Sequence, residues 1–504
     1  MSTATKSYES LVSELRDISV LGSVHSILDW DEKTNMPAKA AMHRAKQSAM
    51  LAKLVHQRFT SPQIGEWLGA LESSDLVASP DSDAAVNVRE TRREYDRATK
   101  LPESLVVERA ELRVMAQQAW KEARQNADFP AFAPWLDKTI ALVRKEAECF
   151  GYKDHPYDAL LEGYEPHEST ARVRAVFSEL RPPLVELVRR VVETGRKAPV
   201  EILHRKFPRQ AQEKFAREVQ AAVGFDFQAG RLDVSAHPFC TTLGPCDVRL
   251  TTRYNEQEFS GAFFGVLHET GHGLYEQGVL AEHWGTPRGS AVSLGIHESQ
   301  SRLWENLVGR SRAFWRHFLP QAKIAFAESL GDVSEDAWYK AINDIRPSLI
   351  RVEADEATYN LHILLRFELE QSMVAGELAA ADVPAAWNQK MRDYLGLTPP
   401  DPAKGVLQDI HWSIGAIGYF STYTLGNLYA AQFFEQARKD LPDLDAMFAR
   451  GELAPLREWL RKNIHSQGQR FTAKQLVKHV TGRELTVGPL MEHLRKKAAE
   501  VYGL

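Results

Sequence analysis

One stretch, residues 225–254, breaks the helical pattern of this sequence, and it stands directly before the segment that carries most of the chemistry. Elsewhere apolar residues recur at helical spacing, as in Leu11, Leu15 and Ile18, and again in Leu105, Leu112, Met115 and Ala119. Their neighbours are Glu, Arg, Lys, Gln and Ala, which enter helices readily. Within 225–254 the pattern changes. Arg231 to Ser235 and Asp247 to Thr251 alternate with period two, as half-buried strands do, and Pro238, Gly244 and Pro245 supply turns. The expected fold is therefore mainly α, with a small antiparallel sheet leading into the next helix. Ser79 to Asp83 reads as a loop between helices, and Thr398 to Pro402 as a stiff turn.

Several classes of function are disfavoured by composition. At 504 residues the chain can bury a large core without covalent staples. A formal net charge of −5 gives no general attraction to nucleic acid or anionic lipid, so neither is an expected partner. The three cysteines, Cys149, Cys240 and Cys246, are too few for a disulfide framework and read as reduced thiols. The first ten residues lack the apolar core of a secretion signal, and no apolar run approaches the roughly 20 residues of a membrane span. The expected location is cytoplasmic.

Residues 256–277 read as one helix, with Asn255 as its cap, Glu258 near its start and Gly278 at its end. Phe259, Phe263, Val266 and Leu267 give it an apolar face. His268 and His272 are four apart, so their imidazoles leave the same face one turn apart and can reach one ion. Glu269, beside the first histidine, is placed to act as general base. A zinc ion lowers the pKa of a water it binds to roughly 7 and polarises a peptide carbonyl, so one ion activates both reactants. The competing reading is two ordinary histidines on a helix. Gly271 and Gly273 weigh against it: each costs about 1 kcal/mol relative to Ala inside a helix, which implies that something packs very close.

A catalytic zinc needs a third protein ligand and an open position. Glu298, 26 residues beyond His272, is the favoured candidate, with His297 as its rival. Glu298 is expected near the start of a helical stretch running from Ser299 to Val308.

With these residues in place, the sequence resembles the carboxypeptidase Taq family of zinc metallocarboxypeptidases. His237-Pro238-Phe239 matches that family's HPF element, and Asp247 to Thr251 its DxRxT. His268 to His272 matches HExxH, and His297 to Gln300 matches HES followed by Gln. Ile350 to Asp355 matches IRxxAD, and Gly405 to Trp412 matches GxxQDxHW. Trp30 to Pro37 also looks like the family's N-terminal region. The resemblance implies a helical, saddle-like fold with a central groove, a homodimer, and stepwise release of C-terminal amino acids from peptides with broad preference. It implies that His268, His272 and Glu298 hold Zn2+, with Co2+ or Mn2+ as alternatives, and that Glu269 is the base. The chain is expected to be one catalytic domain, 1–504, with an N-terminal helical region at about 1–220 and a zinc-site core at about 225–430.

A carboxypeptidase must recognise a free α-carboxylate, and an arginine fork suits that task. Arg351 is the first candidate and Arg249 the second. Each is also open to a structural reading, as an ion pair with Asp355 or Asp247 respectively. His237, His411, Tyr419 and Tyr423 are candidate donors to the oxyanion; a packed, hydrogen-bonded core role is the better reading of any single one, while the set is expected to include at least one active-site group. Gln408, Asp409 and Trp412 are expected to shape the groove, with Asp409 a candidate to orient a ligand histidine. Trp304, Trp315 and Trp338 are expected in the core. Two other functions stay open on these residues: a zinc endopeptidase or dipeptidase, and a helical binding protein whose zinc is structural.

Overall fold

A computed structural model describes residues 2–504. The chain folds as a helical body with a single three-stranded sheet among the described residues. The N-terminal helices form a layer of their own: α1 (Thr3–Thr34), α2 (Ala41–Phe59), α3 (Pro62–Glu72) and α4 (Asp83–Lys100). Leu11, Leu15 and Ile18, the periodic residues of α1, pack with Ile64, Leu68, Leu71 and Val88 into a small separate core. The rest of the chain, from Trp120 to Tyr502, shares one large core. Trp304, Trp315 and Trp338 are all buried in it, as expected. The three cysteines are free thiols. No helix is long and apolar enough to cross a membrane among the described residues.

The sheet comprises β1 (Gly230–Val234), β2 (Cys240–Gly244) and β3 (Asp247–Thr252), in the order β1-β3-β2. It is mixed rather than antiparallel. β2 and β3 form an antiparallel hairpin, with Thr241 opposite Arg249, but β1 runs parallel to β3, with Leu232 opposite Leu250. The cause is the segment between β1 and β2. It reverses the chain over the end of β3, where Thr251 Oγ1 bonds Ser235 Oγ at 2.7 Å and accepts from the Phe239 amide at 2.9 Å. β3 then inserts between the two outer strands. Gly244, at φ 151°, makes the hairpin turn possible.

The helix carrying His268 and His272 spans Ser260–Glu276 and begins four residues later than predicted. Asn255 is spent on a local turn, its side chain accepting from the Gln257 amide at 3.0 Å. Glu258 takes the capping role, accepting from the Ser260 and Gly261 amides at 2.6 Å each. The Glu298 helix spans Leu294–Arg302 and starts five residues earlier than predicted, because Ser293 caps it through the Ile296 amide at 3.1 Å. Glu298 thus lies inside this helix, which then widens into a π-helix at Leu303–Val308.

Glycines set how closely these helices meet. A Cβ on Gly271 would fall 2.5 Å from the Gln300 carbonyl oxygen and the Ser301 Cα, so the two helices touch backbone to backbone. A Cβ on Gly273 would fall 2.8 Å from the Phe225 ring and 3.1 Å from Leu250, pressing the first helix onto the sheet. On the far side of the Glu298 helix lies the Ser421–Asp440 helix, where a Cβ on Gly426 would fall 2.6 Å from the Glu298 Cγ. Glu298 is therefore held between two helices, with a glycine at each crossing.

Candidate metal centre

His268, His272 and Glu298 offer ligand atoms that all lie within 4.8 Å of one another, the only such group of His, Cys, Asp and Glu among the described residues. Glu298 Oε2 is 3.7 Å from His268 Nε2 and 3.5 Å from His272 Nε2. Glu298 is buried, and both histidines are half-buried. The donor set, two imidazoles and one carboxylate, is that of catalytic zinc sites, and the residues fit such an ion.

Which nitrogen each imidazole turns inward is fixed by what occupies the other. His268 Nδ1 lies 2.9 Å from Glu305 Oε2. His272 Nδ1 lies 2.5 Å from Nδ1 of His297, whose Nε2 lies 2.7 Å from Glu276 Oε1. Glu276 also accepts from Thr242 Oγ1 on β2 at 2.8 Å. His297, the rival third ligand, has both ring nitrogens engaged in this relay, against His272 and Glu276. Asp409, expected to orient a ligand histidine, does something else: it accepts from Arg351 Nη2 at 2.8 Å and from Arg366 Nε at 2.7 Å. Glu305 and His297 contact His268 and His272 in its place.

Glu305 and Arg302 escaped the sequence reading. Arg302 donates to Glu298 Oε1 through Nε at 2.7 Å, and its Nη1 lies 3.2 Å from Glu305 Oε2. Positions 298, 302 and 305 share one helical face, a Glu-Arg-Glu spacing that could have pointed to them. The charges act strongly on one another here. Burial alone would raise the Glu298 carboxyl, but Arg302 and the two histidines hold it well below the usual carboxylate range. Burial pulls His272 down to about 3. For His268 burial pulls the same way, but Glu298 and Glu305 outweigh it, and the net shift is upward. Burial pushes Glu269, beside the cluster, up to about 7.

The remaining candidates divide into two groups. Arg351 is buried, bonded to Asp409 and, through Nη1, to the Tyr359 hydroxyl at 3.0 Å; its partner is Asp409 and not Asp355. Asp355 instead accepts from the Ala357 and Thr358 amides. The Tyr423 ring centre lies 5.3 Å from the Arg351 guanidinium carbon and 5.3 Å from the Tyr419 ring. His411 packs on Tyr419 and Phe420, and burial holds its imidazole down at about 4. These residues adjoin the ligand cluster through Tyr359, whose ring lies 4.4 Å from the Arg302 guanidinium. Arg249 lies on β3 and His237 in the segment between β1 and β2. Arg249 forms a two-bond pair with Asp247 at 2.9 and 3.1 Å and lies 4.3 Å from the Trp30 ring. The His237 side chain is exposed, and its carbonyl accepts from Ser235 Oγ at 2.6 Å.

Known proteins resemble this chain over nearly its whole length. The thermostable carboxypeptidase 1 of Thermus thermophilus is 50% identical, with 99% of this chain and 100% of that protein aligned. Carboxypeptidase 1 of Bacillus subtilis is 38% identical, with 97% of each covered. The crystal structure of the M32 carboxypeptidase from Deinococcus radiodurans R1 superposes with a TM-score of 0.96 at 42% identity, covering 99% of this chain and 100% of that one. The family model for carboxypeptidase Taq (M32) metallopeptidases matches residues 10–498, and the chain belongs to that family.

Proposed function

We propose that this metallocarboxypeptidase removes single amino acids from the C-termini of peptides, with broad side-chain tolerance, and that Zn2+ is its ion, Co2+ or Mn2+ being able to replace it. The observation that carries the reading is the convergence of His268 Nε2, His272 Nε2 and Glu298 Oε2, with the Glu269 carboxyl one residue along the same helix. When bound, the ion supplies a Lewis acid that polarises the scissile carbonyl and acidifies water. Glu269 takes the proton from the attacking water and delivers it to the leaving amine. Both arginines are paired with an aspartate, Arg351 with Asp409 and Arg249 with Asp247; Arg351 is preferred for the substrate carboxylate because it joins the Tyr359 and Tyr423 cluster beside the candidate ligands. Tyr419, Tyr423 and His411 are the candidate donors on that side. The whole chain, 1–504, acts as one catalytic unit and assembles as a homodimer, which sedimentation would test. Three free thiols suit a cytoplasmic location.

The test is peptide digestion followed by mass spectrometry. A ladder shortening from the C-terminus, lost with a chelator and lost when the C-terminus is amidated, is the expected result. Internal cleavage of amidated peptides would favour an endopeptidase. Replacing Glu269 by Gln is expected to keep the ion and lower turnover at least about a hundredfold; substantial retained turnover would remove Glu269 from its role.

A further inference from the structure

We propose that Arg302 is a positioning residue that restricts Glu298 to ligation through one oxygen and so keeps one corner of the metal site open for substrate. The inference rests on the metal-site reading above and concerns how the third ligand is presented. The two oxygens of Glu298 stand in different surroundings. Oε2 faces both histidine Nε2 atoms, at 3.7 and 3.5 Å. Oε1 accepts from Arg302 Nε at 2.7 Å, whereas Oε2 has from the protein only a long 3.4 Å contact with Ser301 Oγ besides the histidines.

Neither partner of that bond is free to leave it. The Arg302 guanidinium is also tied to Glu305 at 3.2 Å and lies 4.4 Å from the centre of the Tyr359 ring. Only 13% of its side chain is exposed. Nε sits inside the rigid planar fork, so a bond from it fixes the plane of the whole group. On the other side Gly426 lies close against the Glu298 stem, where an added Cβ would fall 2.6 Å from Cγ.

A carboxylate with both oxygens free can grip one ion through both. One whose Oε1 is held in a charge-assisted bond offers only Oε2. Three-ligand catalytic sites work through their vacant position, and a second Glu298 oxygen would compete for it. The same guanidinium touches Glu305, which holds His268, so Arg302 orders two of the three ligands at once.

The test uses the full chain loaded with Co2+ as a spectroscopic probe, comparing wild type with Arg302→Met and Arg302→Lys. In Arg302→Met, Glu298 is expected to close on the ion through both oxygens, and the visible cobalt absorption should fall about twofold as the coordination number rises. Co2+ affinity by chelator competition should change about tenfold, and Arg302→Lys should lie between the two. A folded Arg302→Met protein with the wild-type spectrum and affinity overturns the proposal, even if its melting temperature has fallen. The metal-loaded wild-type crystal structure tests the same point without a variant. Oε1 should stay on Arg302, and both Glu298 oxygens within the bonding range of about 2.0–2.2 Å would overturn the proposal. A wild-type chain that takes up no Co2+ overturns the metal-site reading itself and this inference with it.

Discussion

His268 and His272 stand one turn apart on the same helix, yet the protein supports them by different means. His268 leans on a half-buried ionic group, Glu305, which is itself paired with Arg302 and lies 3.9 Å from Arg310. His272 leans on a neighbouring imidazole, and a carboxylate enters only behind it, through His297 to Glu276 and on to Thr242. When His297 is neutral and gives its Nε2–H to Glu276, its Nδ1 accepts from His272 Nδ1–H, and His272 Nε2 presents its lone pair inward. One side thus secures its ligand by charge and the other by direction, and the two should fail differently.

The comparison would be broken most severely at Glu305. Glu305→Ala leaves the half-buried Arg302 with Glu298 alone and removes a carboxylate from beside Arg310, and chemical denaturation should show a loss of about 1.5–3 kcal/mol. Metal affinity, read by chelator competition, should fall together with stability. His297→Phe sharpens the contrast. It keeps the ring but removes the acceptor for His272, so metal affinity should drop about 10–100-fold with a stability loss well below that of Glu305→Ala. If His297→Phe proves as destabilising as Glu305→Ala, the distinction between the two supports is wrong. Glu276→Gln is milder, because the amide oxygen can still accept from His297; affinity should fall less than tenfold. Thr242→Val removes one hydrogen bond at the far end of the relay and should cost about 0.5–1.5 kcal/mol in a denaturation experiment, with little change in metal uptake.

What could be read from the sequence follows from how far apart the interacting residues lie. A four-residue interval on a helix is rigid, so His268 and His272 were legible as a pair. The glycines at 271 and 273 were legible as signs of close approach, though not of what approaches: the backbone of the Glu298 helix in one case, Phe225 and Leu250 in the other. Glu298 is legible as a carboxylate that a loop and a return can bring back to the histidine pair, while its helix starts earlier than predicted because Ser293 caps it. The contacts of His297 with His272 and Glu276 cross from one helix to another, and no local spacing encodes them. Asp409 was given a role at a histidine because proximity in a motif says nothing about which way a side chain turns; two arginines claim it instead. The parallel pairing of β1 was hidden for a similar reason, since a period of two fixes the face of a strand and not its neighbour.

The separate packing of α1–α4 sets an order of loosening. That layer closes around a handful of aliphatic side chains, whereas the ligand-bearing helices are anchored in the large core. Local opening should therefore begin there, with its amides exchanging hydrogen first and its loops the first cut by a trace of protease. Early wear of a sample would then show at its amino end while the ion stays in place.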